Sequence, residues 1–541
     1  MKVQQIQQTN LEQKKSPQFN GAVDASLRFL ATNQGVGANL TDVCFMVVPR
    51  IASDAQRGPA ACVETARREA SGTTNHSLIG VYGIIGGMIA ALVLGLKDKF
   101  NVDANKIFAA PETINILAEN KAKQLQNKNS QLDYLKETLS QIRAYNPNAD
   151  KIDKDGFVKL TDDTINDVAK ILDDAISNKK WTEWKDKTSS NSIDVAINKI
   201  TEQTGAQGRY KLELTDKKLV SNTDLKTLLE DVFKVSKSFN EEKVKEAFDS
   251  QIKNNLGIKD NAYIKKLSKF MKSRSIAGFG IATAIGMSIQ PLNIYLTKLK
   301  TGSDGFVGVE GRSKDDSMGF KLLKGVSSVA FFSMVLATLQ TGVKGFMDKM
   351  AFKGFWPTIS QLKGIYGLTI ISRLLAARDK DELRESLTKD TLGFLSWLVL
   401  GDFVNKITAE SLDKSVMNRT AEVENKGWFK RIFNSSLKTR DEVLVKALAD
   451  NGGATTKIDG EKVVAKTFKE MMKDLDKISN KEVVKATKKQ LRTLNKAQLA
   501  GYAFSGLVLG IGIPNLNIYI TNKLDKQRKE KAAKEAQVIK A

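Results

Sequence analysis

Apolar residues in this 541-residue chain are gathered into a few long uncharged runs, separated by stretches dense in lysine, aspartate and asparagine. The run Leu78–Leu96 carries no charge. At about 1.5 Å rise per residue, a helix of that length matches a hydrocarbon core of about 30 Å. Gly80, Gly83, Gly86 and Gly87 lie within it, a composition poor for a helix in water but suited to close helix packing in lipid. Ile276–Leu296 and Gly325–Val343 are also uncharged and long enough to cross, and Leu499–Ile520 closes the series. Phe355–Ala377 is interrupted by Lys363 and Arg373, and Thr391–Val404 is short and carries Asp402. Each of these two reads as a span, a re-entrant hairpin or an interfacial helix. The pattern predicts an all-α, polytopic membrane protein with four to six transmembrane helices. Between them lie two soluble, mainly helical inserts with short β-hairpins.

The expected divisions are a polar N-terminal arm with a juxtamembrane helix (1–76), a transmembrane helix (77–96) and a soluble insert (97–275). A membrane block of two to four helices (276–406), a second insert (407–498), and a last span with a basic tail (499–541) follow. Residues 1–41, rich in Gln and Asn, read as a disordered leader. Pro111–Tyr145 reads as helix, with Leu125, Leu132, Leu135, Leu139 and Ile142 on one stripe. Turn signals at Asp155-Gly156, Thr215-Asp216 and Asp459-Gly460 mark expected hairpins over Lys151–Leu160, Arg209–Leu219 and Thr455–Thr467.

The hexapeptide Leu292-Asn293-Ile294-Tyr295-Leu296-Thr297 returns as Leu516-Asn517-Ile518-Tyr519-Ile520-Thr521. Ala277-Gly278-Phe279 matches Ala500-Gly501-Tyr502, Gly286 matches Gly510, and Pro291 and Pro514 fall just before the motif. Paired spans interrupted by glycine and proline suggest an internal repeat with broken helices, whose freed backbone groups can face a solute. Gln290, Asn293 and Asn517, with Pro291 and Pro514, are therefore the candidate substrate- or ion-binding residues. Tyr295 and Tyr519 suit an interfacial aromatic belt, with Lys298 and Lys523 snorkelling to headgroups.

Charge alters this picture only in part. Lys and Arg number 84 against 61 acids, a net +23. The bases are dispersed among acids rather than set in aromatic-interleaved patches, so the expected partner is the lipid bilayer and not nucleic acid. Cys44 and Cys62 are the only cysteines and His76 the only histidine, which excludes a disulfide framework and the usual metal spacings. No metal, cofactor or catalytic residue is expected. Glu64, Arg67, Arg68, Glu69 and His76 read as an i,i+4 ion-pair ladder at headgroup level. Arg373 and Asp402 would lie at opposite membrane faces, each snorkelling. The glycines of Gly302–Arg312 lack the ending of a P-loop and read as an interhelical turn, and Asp153–Gly156 reads as a plain turn rather than half a calcium loop.

The tail 522–541 holds seven bases and three acids and is expected on the cytoplasmic side. An even number of spans would place the N-terminal arm there too, with both inserts facing outward. Large inserts without catalytic signatures suggest a non-enzymatic scaffold of the bacterial envelope, docking other envelope proteins through 97–275 and 407–498. A transporter or channel using the repeated helices is the alternative, and a membrane-embedded enzyme acting on lipid the third.

Overall fold

The computed structural model describes residues 22–150, 152–153, 155–177, 187–212, 223–302, 304–307, 313–460 and 462–540, and helices dominate them. The chain opens with α1 (Ala22–Thr32) and α2 (Gln34–Asp42). A π-helical turn, Val43–Val47, carries α2 straight into α3 (Val48–Ala55). A short turn ending at Gly58 reverses the chain into α4 (Pro59–Ser77), which bends by 54° at Leu78 into α5 (Ile79–Leu94). The first insert holds α6 (Leu96–Phe100), α7 (Pro111–Gln126), α8 (Gln131–Ser140), α9 (Asp162–Ser177), α10 (Lys187–Thr204), α11 (Leu225–Ser238) and α12 (Glu242–Lys253). It also carries an antiparallel sheet of order β2-β1-β3, from β1 (Ile142–Tyr145), β2 (Phe157–Lys159) and β3 (Tyr210–Leu212).

The 40-residue α13 (Ala262–Thr301) returns through the block. It is followed by α14 (Met318–Thr338), the short α15 (Val343–Lys349) and α16 (Ile359–Ala376). Next, α17 (Lys380–Leu395) passes through a π-helical turn, Ser396–Leu400, into α18 (Gly401–Leu412). The second insert contains α19 (Ala421–Glu424), α20 (Trp428–Asn434), α21 (Arg440–Ala449) and α22 (Phe468–Lys477), with strand pairs β4 (Met417–Asn418) with β5 (Ser436–Leu437), and β6 (Thr456–Asp459) with β7 (Lys462–Ala465). Finally α23 (Lys481–Ser505) runs through the π-helical segment Gly506–Gly512 into α24 (Ile513–Lys540).

Three helical stretches, Ala262–Thr301, Met318–Thr338 and Lys481–Lys534, are long and apolar enough to cross a membrane, and the bent α4–α5 pair makes a fourth. Outside faces of this block are apolar: Leu92, Val93, Met318, Val329 and Leu507 are largely exposed. Its interior buries Arg50, Glu69, Arg373 and Asp390 to 3 % exposure or less. That polarity is reversed from a water-soluble bundle and fits a chain solvated by lipid.

The two inserts join into one head. Glu442 of α21 accepts the backbone N–H groups of Gln207 (2.6 Å) and Gly208 (3.1 Å), and Asn198 of α10 donates to the Thr455 carbonyl at 3.2 Å. Each insert keeps its own core. One centres on Leu117, Leu135, Leu172, Val232, Phe239 and Tyr263, the other on Leu444, Leu448, Leu475 and Leu491.

Several expectations need correction. Residues 22–41 are helical rather than a loose leader, and α1 touches the head: Arg28 pairs with Asp441 (3.2 Å) and Asn495 donates to Asp24 (2.7 Å). The opposite end of the block gathers the tail and the loop before α14, where Arg528 pairs with Asp381 and the Asp315 N–H reaches the Arg378 carbonyl. N-terminal arm and tail therefore sit at different ends. The Leu78–Leu96 run is displaced as well. Asn75 of α4 donates to the Ala282 carbonyl (3.1 Å), whereas Leu94 of α5 accepts from Lys266 (2.8 Å). It is α4, rich in polar groups, that lies beside the apolar part of α13, and α5 rises toward the head. Gly86 makes this contact close, since a Cβ there would meet the Arg274 carbonyl at 2.5 Å and the Gly278 nitrogen at 2.6 Å. Pro111–Tyr145 breaks at Lys128, whose φ is +55°, and at a capping box on Ser130, and ends in strand β1. The β1–β2 hairpin spans 142–159, with Asp155-Gly156 in its connection, while the Thr455–Thr467 hairpin pairs as β6–β7 about Gly460. The expected hairpin over Arg209–Leu219 falls largely outside the described residues, and within them β3 pairs with β1.

In the head, burial pushes the Asp231 carboxyl up to about 8, with Lys234 only partly opposing. Below the ordinary range both folded and unfolded chains hold this proton. Between about 4 and 8 only the folded chain does, so stability falls as pH rises through that window. Asp231→Asn is expected to stabilise the chain over the parent, by clearly more at pH 8 than at pH 5, measured by thermal unfolding of the detergent-purified chain.

Candidate functional site

The first two helical passes of the block bring charge into its centre. Arg50 on α3 faces Glu69 on α4 at 3.0 Å and Asp390 on α17 at 3.6 Å. Arg373 on α16 reaches the same two carboxylates, Asp390 at 3.0 Å and Glu69 at 3.4 Å. Two guanidiniums thus share two carboxylates, and every group comes from a different helix. Arg68 adds a bond to the second Glu69 oxygen (3.1 Å), with Lys389 at 4.0 Å. Gly393 makes room for Arg50: a Cβ there would stand 2.8 Å from its Nη2.

Toward the tail end the polar chain continues. Thr65 donates to Asp54 (2.5 Å), which lies 3.5 Å from Arg57. Arg57 makes a bidentate pair with Glu385 (2.9 and 2.8 Å). Nearby, Arg378 is held by Glu64 (2.6 Å) and Glu382 (2.9 Å). Toward the head, His76 Nε2 lies 3.0 Å from Asp42, which also accepts the Thr73 hydroxyl. The imidazole is enclosed by the rings of Tyr366 (5.8 Å) and Trp397 (5.6 Å). The Tyr366 hydroxyl is buried and finds no hydrogen-bond partner among the described residues. His76 therefore faces the block interior, away from any lipid headgroup.

Glu64, Arg67, Glu69 and His76 thus form no ladder at headgroup level but bind side chains of other helices, while Arg68 stays within α4, on Glu69 and Thr65. Nor does Arg373 snorkel. Its burial is matched by Asp390, 17 residues on, and by Glu69, 304 residues earlier, a pairing that spacing alone does not reveal. Asp402 is exposed and pairs with Lys406 at 2.8 Å.

The hexapeptide copies occupy corresponding places. Arg67 of α4 donates to Thr297 (2.8 Å), and Arg384 of α17 donates to Thr521 (2.5 Å). Gly278 lies against the Tyr82 carbonyl and Gly501 against the Gly401 carbonyl. The candidate solute residues are not brought into one site. Asn517 donates to the Glu385 carbonyl at 3.0 Å, while Asn293 borders a separate shallow groove with Arg67, Ser71, Thr74, Ile289 and Leu292. Gln290 is buried, its Oε1 unpartnered among the described residues.

Neither copy is a broken helix. Pro291 sits inside an unbroken α13, and Ser372 of α16 donates at 2.7 Å to the Met287 carbonyl, the group that proline leaves free one turn earlier. Pro514 follows the π-helical segment Gly506–Gly512, where the helix widens without ending. The carbonyl freed at Pro291 is therefore taken by α16, and at Pro514 the helix continues. Tyr295 and Tyr519 both lie exposed on the outer surface, Lys298 pairs with Asp304 (2.9 Å) and Lys523 is exposed. The loop after α13 folds Phe306 beneath Arg378, and residues 303 and 308–312 of its glycine series lie outside the described residues. Among the described residues no His, Cys, Asp and Glu group is arranged to hold a metal ion.

No protein-family model, curated protein or solved structure matches this chain.

Removing one shared carboxylate strands buried guanidiniums, a loss of about 3–5 kcal/mol. Glu69→Gln is expected to destabilise the detergent-purified protein on that scale, while Asp402→Asn, at an exposed pair, changes stability by about 1 kcal/mol or less. Thr521 accepts from Arg384 and donates to Glu385. Thr297 accepts from Arg67 but donates only to the neutral Asn293 carbonyl, so Thr521→Val, which also loses a charge-assisted bond to Glu385, should lower the unfolding temperature more than Thr297→Val.

Proposed function

We propose that this chain is a transport protein of the cell membrane, built from two three-helix repeats of the same sense. The carrying observation is the buried quartet of Arg50, Glu69, Arg373 and Asp390, shared across both halves. In the first half α2–α3 descends from the head, α4–α5 rises to it, and α13 descends again. α14 rises, and then α16, α17–α18 and α23–α24 repeat the first order. The extra helix α14 restores the sense, so the halves are related by an axis along the membrane normal, as in several transporter folds. The matched Arg67–Thr297 and Arg384–Thr521 contacts support this pairing of helices.

Buried ion pairs seldom add net stability over apolar packing, and charges at membrane depth mark solute or proton paths by default. A set of charges that links two halves, and parts when they rock, suits a gate. On this reading the chain makes seven passes, with α1 and the head on one side. With the basic tail cytoplasmic by the positive-inside rule, the head faces outward. Envelope scaffolding is the second reading, favoured by the joined head and its polar groove of about 940 Å³ lined by Asn120, Lys123, Asp133, Glu137 and Asp162.

Ser372 is buried next to Arg373, and Ser372→Cys tests the gate in a background lacking Cys44 and Cys62. The cysteine is expected to resist a membrane-impermeant thiol reagent in intact membranes and to react once Asp390→Asn loosens the quartet. A cysteine closed to the reagent in both backgrounds, in protein that still folds, would leave scaffolding as the better reading.

A further inference from the structure

We infer that the second insert carries its own membrane anchor: α20, backed by Phe403 of α18, lies in the lipid headgroup layer on the head side. The inference rests on the membrane reading above and deepens it.

The level of this helix is fixed by its neighbours. Gly401 at the start of α18 sets its carbonyl against Gly501, with only 3.0 Å between that oxygen and a Cβ placed on Gly501. Gly501 lies where the uncharged run Leu499–Ile520 begins, so Gly401 marks the boundary between apolar block and head. Phe403 follows two residues later, about 3 Å of helix rise. Its ring packs on Trp428 (6.0 Å between centroids) and Phe429 (5.1 Å), holding α20 at that level. Asp402 and Lys406, paired at 2.8 Å, show that α18 meets polar surroundings on the same turn.

The composition of α20 suits an interface and not a head surface in water. Of its seven residues only Ile432 is buried. Trp428, Phe429 and Phe433 are exposed by 54 %, 60 % and 43 %, and Phe429 stacks on Phe433 at 6.2 Å. Exposed Lys430 stands between the aromatic rings, while Arg431 turns inward to pair with Glu410 at 3.0 Å. Exposed aromatic groups interleaved with a base, at the height where an apolar run meets charge, are the makeup of an interfacial helix. Phe355 and Trp356, exposed on the loop between α15 and α16, supply similar aromatic surface beneath the head, where the Phe355 carbonyl lies against Gly80. The occupant of the aromatic face of α20 is thus the headgroup and upper acyl layer of the bilayer that holds the protein.

The test uses the full chain, single-copy in nanodiscs of phosphatidylcholine and phosphatidylglycerol, with Cys44 and Cys62 replaced by serine. One fluorophore is placed on a cysteine at 429, at 507 within the apolar block, or at 458 on the tip of the β6–β7 hairpin. The label at 429 is expected to be quenched by lipid-borne nitroxide and to lose quenching by aqueous iodide, as at 507, while 458 shows the reverse. If 507 reads as lipid but 429 reads as 458 does, the anchor is overturned and the membrane reading stands. If 507 also reads as water, the membrane reading falls with it. Single-copy discs exclude shielding by a second copy. Charge dependence is read by repeating 429 without phosphatidylglycerol: quenching that persists assigns the anchor to its aromatic rings, and quenching that vanishes assigns it to Lys430.

Discussion

Two carboxylates holding two guanidiniums in an apolar interior is the constraint around which the rest of the block is arranged. A lone ion in such a medium is penalised by several kcal/mol, and only close, multiple partners offset this. Glu69 receives Arg50, Arg68 and Arg373, and Asp390 receives Arg373 and Arg50. The partners lie on α3, α4, α16 and α17, so satisfying the charges fixes which helices are neighbours. Helix packing in lipid has little hydrophobic drive of its own and relies on small residues and polar contacts. Here Gly86, Gly278 and Gly393 supply the close approaches, and the ionic cluster selects the pairing.

The outer surface follows from the same arrangement. Because the charges point inward, helices such as α14 turn Met318, Leu322, Val326 and Val329 outward. The head is built by ordinary rules instead, with buried leucines, capped helices and a small sheet. Its two halves are inserted between α5 and α13 and between α18 and α23, and they meet through Glu442, Asn198 and Thr455. Apolar-faced halves that pair through charges thus carry inserts that pair through hydrogen bonds to backbone.

Much of the helical content and the long apolar stretches was legible in the sequence, because runs such as Ile276–Leu296 differ sharply from their flanks. The matched hexapeptides were legible too, and Thr297 and Thr521 fill matched positions. Apolar content misled at α4 and α5. Leu78–Leu96 was the plainest run, yet the polar α4 lies beside the apolar part of α13, since its charges are compensated by distant partners that hydropathy ignores. Proline misled in the opposite direction. Pro291 reads as a break from local chemistry, but Ser372, some 80 residues on, accommodates the free carbonyl. The ionic cluster itself was the least legible feature, as Arg50, Glu69, Arg373 and Asp390 become neighbours only through tertiary pairing. Helicity at α1 and α2 was hidden by the same effect, being supported by contacts to the head and to α16–α18.

The order in which the quartet is synthesised has a consequence for biogenesis. Arg50, Arg68 and Glu69 leave the ribosome some 300 residues before Arg373 and Asp390. On the membrane reading, the early half enters the bilayer with Arg50 and Arg68 sharing Glu69. Arg50 and Arg68 straddling Glu69 give that half a provisional neutralisation, within a hairpin that needs nothing from downstream. Asp390 then takes Arg373 and shares Arg50 with Glu69, so the second half completes an ionic cluster that the first half begins.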